Sequence, residues 1–171
     1  TLPGADASKP NQLTPEQVMV DEKPVPGEEI VILDFEGYFM GVSLAERLAL
    51  EGKRVTILTQ FATPAPMMEG TLEAPRMLTR LHSLGVEWVG HHVPVRIEDD
   101  GVVVANSFDA EGRERKLEGD AVVLCTGRRS SDALFMELKN DLGISALEAN
   151  GITGLYRIGD CEAPRTIADC I

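Results

Sequence analysis

The stretch from Ile30 to Thr59 constrains the fold more than any other part of the chain. Ile30 to Leu33 is an apolar, β-branched run of the kind buried in a parallel sheet, and Val55 to Leu58 repeats the pattern. Between them, Val42, Ala45, Leu48 and Ala49 fall on one stripe of a helix from about Met40 to Glu51, with Gly52 as its stop. A strand, a helix and a second parallel strand require a right-handed crossover. The predicted fold class is therefore α/β with a doubly wound parallel sheet.

The turn that closes the first strand reads Asp34-Phe35-Glu36-Gly37-Tyr38-Phe39-Met40-Gly41. In a Rossmann-like FAD/NAD(P)-binding fold a GxGxxG turn stands here, and its backbone N–H groups and helix N-terminus hold a pyrophosphate. With Gly41 as the third glycine, Glu36 and Tyr38 occupy the first two glycine positions, where a carboxylate and a phenol obstruct close approach of phosphate. Like charges about 5 Å apart repel by roughly 3 kcal/mol at an effective dielectric near 20. Glu36, joined by Asp34 if it points the same way, would remove much of the roughly 8 kcal/mol that micromolar binding represents. The turn holds no Lys or Arg to compensate. After the second strand, Thr59, Gln60 and Phe61 supply neither the acid that binds a ribose hydroxyl nor a base for a ribose phosphate. Gly37 and Gly41 are candidate cofactor-contacting positions, with a narrow strand-to-helix turn as their structural alternative.

The rest of the chain extends this plan. Residues 1–27 carry five prolines and one short helical candidate, Thr14 to Met19, and read as a linker wrapping onto the next domain. Thr63 to Met68, with two prolines and two methionines, suits loop packing better than a binding surface. Leu72 to Leu84 predicts a helix with Met77, Leu78, Leu81 and Leu84 on its apolar face, followed by a strand over Val86 to Val89. From Pro94 to Leu117 the pattern becomes an antiparallel β-meander: Val95 and Ile97, Val102 to Val104, then Arg113 to Leu117, with Gly-containing turns between. Ala121 to Leu124 predicts a fourth buried strand. It leads into Cys125-Thr126-Gly127-Arg128-Arg129, a helix over Ser131 to Leu142 stopped by Gly143, and a last strand, Leu155 to Ile158, ending at Gly159-Asp160.

Twenty-eight acidic against sixteen basic residues give a formal charge of -12, which argues against a nucleic-acid partner. No apolar run is long enough to span a bilayer, and the expectation is a cytoplasmic setting without membrane association. Cys125, Cys161 and Cys170 are odd in number and lack CxxC spacing, so thiols are expected rather than a disulfide framework or a metal knuckle. His82, His91 and His92 have no acidic or cysteine partner at ligand spacing, and adjacent histidines on a strand face opposite ways. No metal site is expected.

The order of these parts, with Val122 to Arg129 after the meander and Tyr156-Arg157-Ile158-Gly159-Asp160-Cys161 later, resembles the pyridine-nucleotide-dependent flavin reductases. There the first segment ends in Thr-Gly-Arg, which places Gly127 among the candidate cofactor positions. The acid of the Gly-Asp motif contacts the ribitol or pyrophosphate region of flavin, and Gly159 and Asp160 are the matching residues. A turn capping a helix at Ala163 is the structural alternative for that pair. Arg128 and Arg129 could meet a phosphate at the strand ends or simply be exposed.

Leu2 to Ser8, Leu13 to Met19, Tyr38-Phe39-Met40, Ser43 to Glu46 and Gly159 to Arg165 together resemble the C-terminal region of the trimethylamine, dimethylamine and histamine dehydrogenase family, itself similar to the 2,4-dienoyl-CoA reductases. The resemblance implies a parent with an old-yellow-enzyme-type FMN barrel, an iron-sulfur cluster, and ADP or FAD in a flavin-like domain. On that basis residues 1–27 are a linker from the flavin-like domain, 28–154 the nicotinamide-domain-like Rossmann domain, and 155–171 a returning strip of the flavin-like one. This branch replaces the glycine turn and passes electrons to a flavoprotein, which the residues of the turn independently suit.

The expected function is that of a degenerate dinucleotide-binding domain with a structural or interdomain role. It carries no catalytic residue and is expected to hold no cofactor by itself. Its implied partners are the other domains of the same chain, a second copy in a homo-oligomer, and an electron-transfer flavoprotein. Two alternatives stand beside this reading. One is an active NAD(P)H-binding reductase domain of the dienoyl-CoA reductase type, and the other a non-catalytic module that binds ADP or docks an electron-transfer partner.

Overall fold

The computed structural model describes residues 2–142 and 148–164. Two compact units divide the chain, Thr1–Thr126 and Gly127–Ile171. In the first, β1 (Gln12–Leu13), α1 (Pro15–Met19), β2 (Glu29–Asp34), α2 (Phe39–Leu50), β3 (Arg54–Thr59), α3 (Ala74–Ser83) and β4 (Glu87–Val89) are followed by β5 (His92–Glu98), β6 (Gly101–Asn106), β7 (Glu114–Glu118) and β8 (Ala121–Val123). A parallel sheet has the order β1-β8-β2-β3-β4, and β5-β6-β7 form a separate antiparallel sheet. The unit is thus mixed α/β, with one parallel and one antiparallel sheet.

The alternation of side chains along the strands decides what each face of the parallel sheet carries. Ile30, Ile32, Val55, Ile57, Ala121 and Val123 pack with Val42, Leu44, Ala45 and Leu48 of α2 and Leu81 of α3. Their neighbours Val31, Leu33, Leu58 and Val122 pack instead with Ile97, Val102 and Val104 of the meander. Both faces are covered, which is why these strands read as unbroken apolar runs. Each fully buried Val, Leu or Ile contributes roughly 1.5–3 kcal/mol relative to exposure. The stripe of α2 is wider than the sequence suggested, because Leu44 and Gly41 are buried too. The helix ends at Leu50, two residues before Gly52, whose φ of +86° suits glycine.

Several expectations are corrected. Residues 1–27 contribute a strand that the sequence did not announce: Gln12 and Leu13 form the edge strand of the sheet, paired with Val122 and Val123. Both are fully buried, and the Gln12 side chain accepts from Asp6 N–H at 2.8 Å and donates to Gly4 O at 2.9 Å. The two-residue strand is too short to show a period, so nothing in its pattern announced it. The helix after β3 is shorter than expected, because Leu72 is 85% exposed and sits at φ +61° outside it. Val95 does not alternate with Ile97. The register slips between Pro94 and Arg96, a bulge next to a residue that cannot donate a ladder hydrogen bond. His91 stands outside β5 at φ +57°, beside the Phe108 ring, while His92 Nδ1 lies 2.6 Å from Gly90 O, so no shared ligand site forms.

In the second unit the expected helix over Ser131 to Leu142 is α-helical only over α4 (Ala133–Glu137) and continues as a π turn, Leu138–Leu142. Asp132 does not cap it, because its carboxylate pairs with Arg157 at 2.8 Å. Gly143, the expected stop, lies outside the described residues. Leu155 to Ile158 form no strand: no ladder holds them among the described residues, and Tyr156 and Ile158 are 86% and 81% exposed. Arg157 also pairs with Glu162 at 2.9 Å and lies 5.0 Å from the Phe135 ring centroid.

Candidate functional site

In open parallel α/β sheets, the place where strand order reverses opens a crevice at the carboxyl ends of the strands. Here that place is β2, flanked by β8 on one side and β3 on the other. The ends of these three strands deliver Asp34, Thr59 and Cys125 to one region, and the altered turn rises from it.

Asp34 is fully buried. Its Oδ1 accepts the Gly37 N–H at 3.1 Å, while Oδ2 has no hydrogen-bond partner among the described residues. The backbone N–H groups of Ala65 and Glu36 bear on the carboxylate and favour its ionised form, but do not reach hydrogen-bond geometry with Oδ2. Gly41, in the first turn of α2, lies directly against it: a Cβ there would come within 2.8 Å of Asp34 Cγ. Asp34 does not project beside Glu36 toward solvent, as the charge argument allowed. It fills the inside of the turn.

Burial pushes the Asp34 carboxyl above its ordinary value of 3.8, opposed by the Gly37 N–H and reinforced by the charge of Glu36. The sign of the consequence follows. A carboxyl whose folded value exceeds its unfolded value contributes most stability below the unfolded value, and that contribution is lost as pH rises through the folded value. Asp34→Asn removes this dependence. It is expected to raise stability at pH 7 by about 1 kcal/mol, since a neutral amide costs less to bury than an unpaired charge. Urea unfolding of both proteins between pH 4 and 8 measures it, and a variant less stable than the parent throughout would contradict this account.

Glu36 turns toward β8. Its Oε2 lies 4.0 Å from Cys125 Sγ, and the Phe35 N–H donates to Cys125 O at 3.0 Å. The mouth of the crevice between β2 and β8 is thus bridged by the chain itself. On the β3 side, the segment after Thr59 folds back over the turn. Phe61 lies against Gly37, where a Cβ would meet its Cε2 at 2.6 Å, and the Met67 N–H donates to Gly37 O at 3.0 Å. Gly37 itself has a φ of +70°, so both conformation and contact require glycine. Tyr38 precedes α2 in extended conformation, makes no side-chain cap, and packs edge-on with Phe39.

Gly37 and Gly41 are therefore brought together around Asp34. Gly127, Gly159 and Asp160 belong to the second unit. A Cβ at Gly127 would meet nothing within 4 Å, so no close approach among the described residues demands glycine. Gly159 opens a short 3-10 turn, Gly159–Cys161, at φ +58°, and the Asp160 carbonyl accepts the Ser131 N–H at 3.1 Å. The helix expected at Ala163 runs into residues outside those described. Phe61, Ala65, Met67 and Cys125 were not singled out as site residues. Pro64 and Pro66 were the available sign that the loop after β3 has a fixed course.

Cys125 and Cys161 form no disulfide, and Cys170 lies outside the described residues. Among the described residues no group of three or more His, Cys, Asp or Glu is placed to hold a metal ion. Nor is any helix among them long and apolar enough to cross a membrane. A shallow depression of about 350 Å³ between α2 and α3 is rimmed by the Arg80–Glu46 ion pair and by Met68 and Met77. It contains none of the predicted site residues.

Comparison with known proteins gives this geometry a family. The family described as OYE-like second alpha/beta domain matches residues 13–133. Dimethylamine dehydrogenase of Hyphomicrobium sp. (strain x) is 40% identical over 98% of this chain, which covers 24% of that protein. The structure of 6-hydroxypseudooxynicotine amine oxidase from Pseudomonas geniculata N1 superposes with a TM-score of 0.79 at 33% identity, over 99% of this chain and 24% of the other. Histamine dehydrogenase from Rhizobium sp. 4-9 gives a TM-score of 0.81 at 29% identity, over 96% of this chain and 25% of that one. The chain thus spans about a quarter of the length of each relative.

Proposed function

This chain belongs to the OYE-like second alpha/beta domain family, and on that premise we propose that it is a Rossmann-like domain with a retired dinucleotide cradle. It serves a multidomain FMN and iron-sulfur oxidoreductase of the amine dehydrogenase type. Its role is structural, packing against the other domains of the same chain. Residues 28–154 form the nicotinamide-domain-like part, 1–27 its connection from a flavin-like domain, and 155–171, with Gly159 and Asp160, a strip of that domain.

One observation carries the reading: the Asp34 carboxylate lies inside the turn, taking the Gly37 N–H and filling the space beside Gly41. In a working cradle, such backbone donors serve a pyrophosphate, while the third glycine lets the helix pack close against the strand. Glu36, at the crevice between β2 and β8, adds a second negative group, and neither Thr59 nor Phe61 can select a ribose. The residues present do not fit a nicotinamide dinucleotide. FMN and the cluster are assigned to other domains of the parent. A homo-oligomeric parent that delivers electrons to a flavoprotein rests on the resemblance of the sequence to the amine dehydrogenases.

Calorimetric titration of the chain with NADH, NADPH and ADP at low salt tests the reading. No nicotinamide nucleotide is expected to bind more tightly than about 10 µM. Micromolar NADH or NADPH would show that the turn is compensated, and the domain would then be an active reductase module. Tight ADP binding alone would make it a nucleotide-holding module instead.

A further inference from the structure

We propose that the segment from Phe61 to Met68 is a permanent internal occupant of the crevice, a strap that takes the place of the adenosine half of a dinucleotide. The inference rests on the retired-cradle reading and adds to it what now fills the space. A dinucleotide lies with its pyrophosphate on the turn after the first strand and its adenosine ribose at the end of the second. The second strand here is β3, and the chain leaving it does not run out to solvent. It returns across the turn.

Five contacts and one backbone bend fix that course. The Phe61 N–H donates to Thr59 Oγ1 at 3.3 Å, which bends the chain as soon as β3 ends. The Phe61 ring then packs against Gly37, between the two altered positions of the turn. Ala65, 2% exposed, adopts φ +50°, a left-handed conformation that costs a non-glycine residue energy. That bend lets Met67 N–H reach Gly37 O, after which Met68 enters the core at 4% exposure. The far side is anchored as well, since Phe61 O accepts the His91 N–H at 2.9 Å. Gly90 lies so close to Ala62 O that a Cβ would come within 2.5 Å of it. A loop held at both ends, through a strained residue and over the one glycine its ring can reach, is a packed element of the site rather than a connector.

Hydrogen exchange on the intact chain tests this. Truncating the ring by Phe61→Ala should raise exchange of the Met67 and Gly37 amides together by about tenfold or more, while Ile32 and Ile57 in the sheet stay protected. Phe61→Leu, which keeps most of the volume, should give a smaller rise at the same two amides. A uniform rise across all four amides, or a rise at Met67 with Gly37 unchanged, would overturn the strap and leave the retired-cradle reading intact. Micromolar NADH binding to the unmodified chain would overturn that reading, and with it the strap as a permanent occupant, whatever the exchange shows.

Discussion

Leu13→Ala is expected to lower the unfolding free energy by about 2–5 kcal/mol, a loss large enough to threaten folding of a domain of ordinary stability. Leu13 is wholly buried and belongs to the cluster formed with Ile30, Ile32, Val123 and α2. Its carbonyl accepts the Leu124 N–H at 2.8 Å, so its strand also closes the edge of the sheet beside β8. Truncation would leave a cavity under α1, whose Val18 is buried next to it in the same cluster. Val20→Ala, at a position 75% exposed, is the control and should change stability by less than about 0.5 kcal/mol. Urea unfolding followed by circular dichroism separates the two. If Leu13→Ala behaves like the control, the N-terminal segment is a dispensable connection.

That segment marks where the sequence stops being legible. β2, β3 and β8 could be placed because they are buried on both faces and so carry unbroken apolar runs, and α2 because its stripe follows helical spacing. Gln12 and Leu13 carry no such signal. Their strand exists only because Val122 and Val123 offer a ladder far along the chain. The converse holds at Leu155 to Ile158, where an apolar pattern was present and no ladder forms. Strand formation depends on a partner, and a single sequence does not list partners.

The site shows the same division. The replacement of two turn glycines by Glu36 and Tyr38 could be read directly, because the spacing from Gly41 fixes their positions. What became of the vacated donors could not. Asp34, the last residue of a buried strand, might have faced either way, since a change of one position on a strand reverses the face. Only the fold shows it turned into the cradle, with Glu36 sent toward Cys125 instead. On the proposed reading, charge repulsion, the argument available from sequence, is the smaller part of the explanation and internal occupation the larger.

Gly41→Val tests that occupation directly and should cost about 3 kcal/mol from overpacking, only slightly offset by the better helix propensity of valine. A Cβ alone at position 41 would lie 2.8 Å from Asp34 Cγ and 3.0 Å from both its Cβ and Oδ1. Asp34 cannot swing away, because it is fully buried and tied to the Gly37 N–H. The cost should therefore depend on Asp34 rather than on the helix. In an Asp34→Ala background, which removes the carboxylate but keeps the Cβ, Gly41→Val should cost only about 1 kcal/mol, giving a coupling of about 2 kcal/mol in the double-mutant cycle. Independent penalties would mean that Gly41 answers to some other neighbour. A strong coupling would show that the glycine retained from a nucleotide-binding turn now makes room for the protein's own carboxylate.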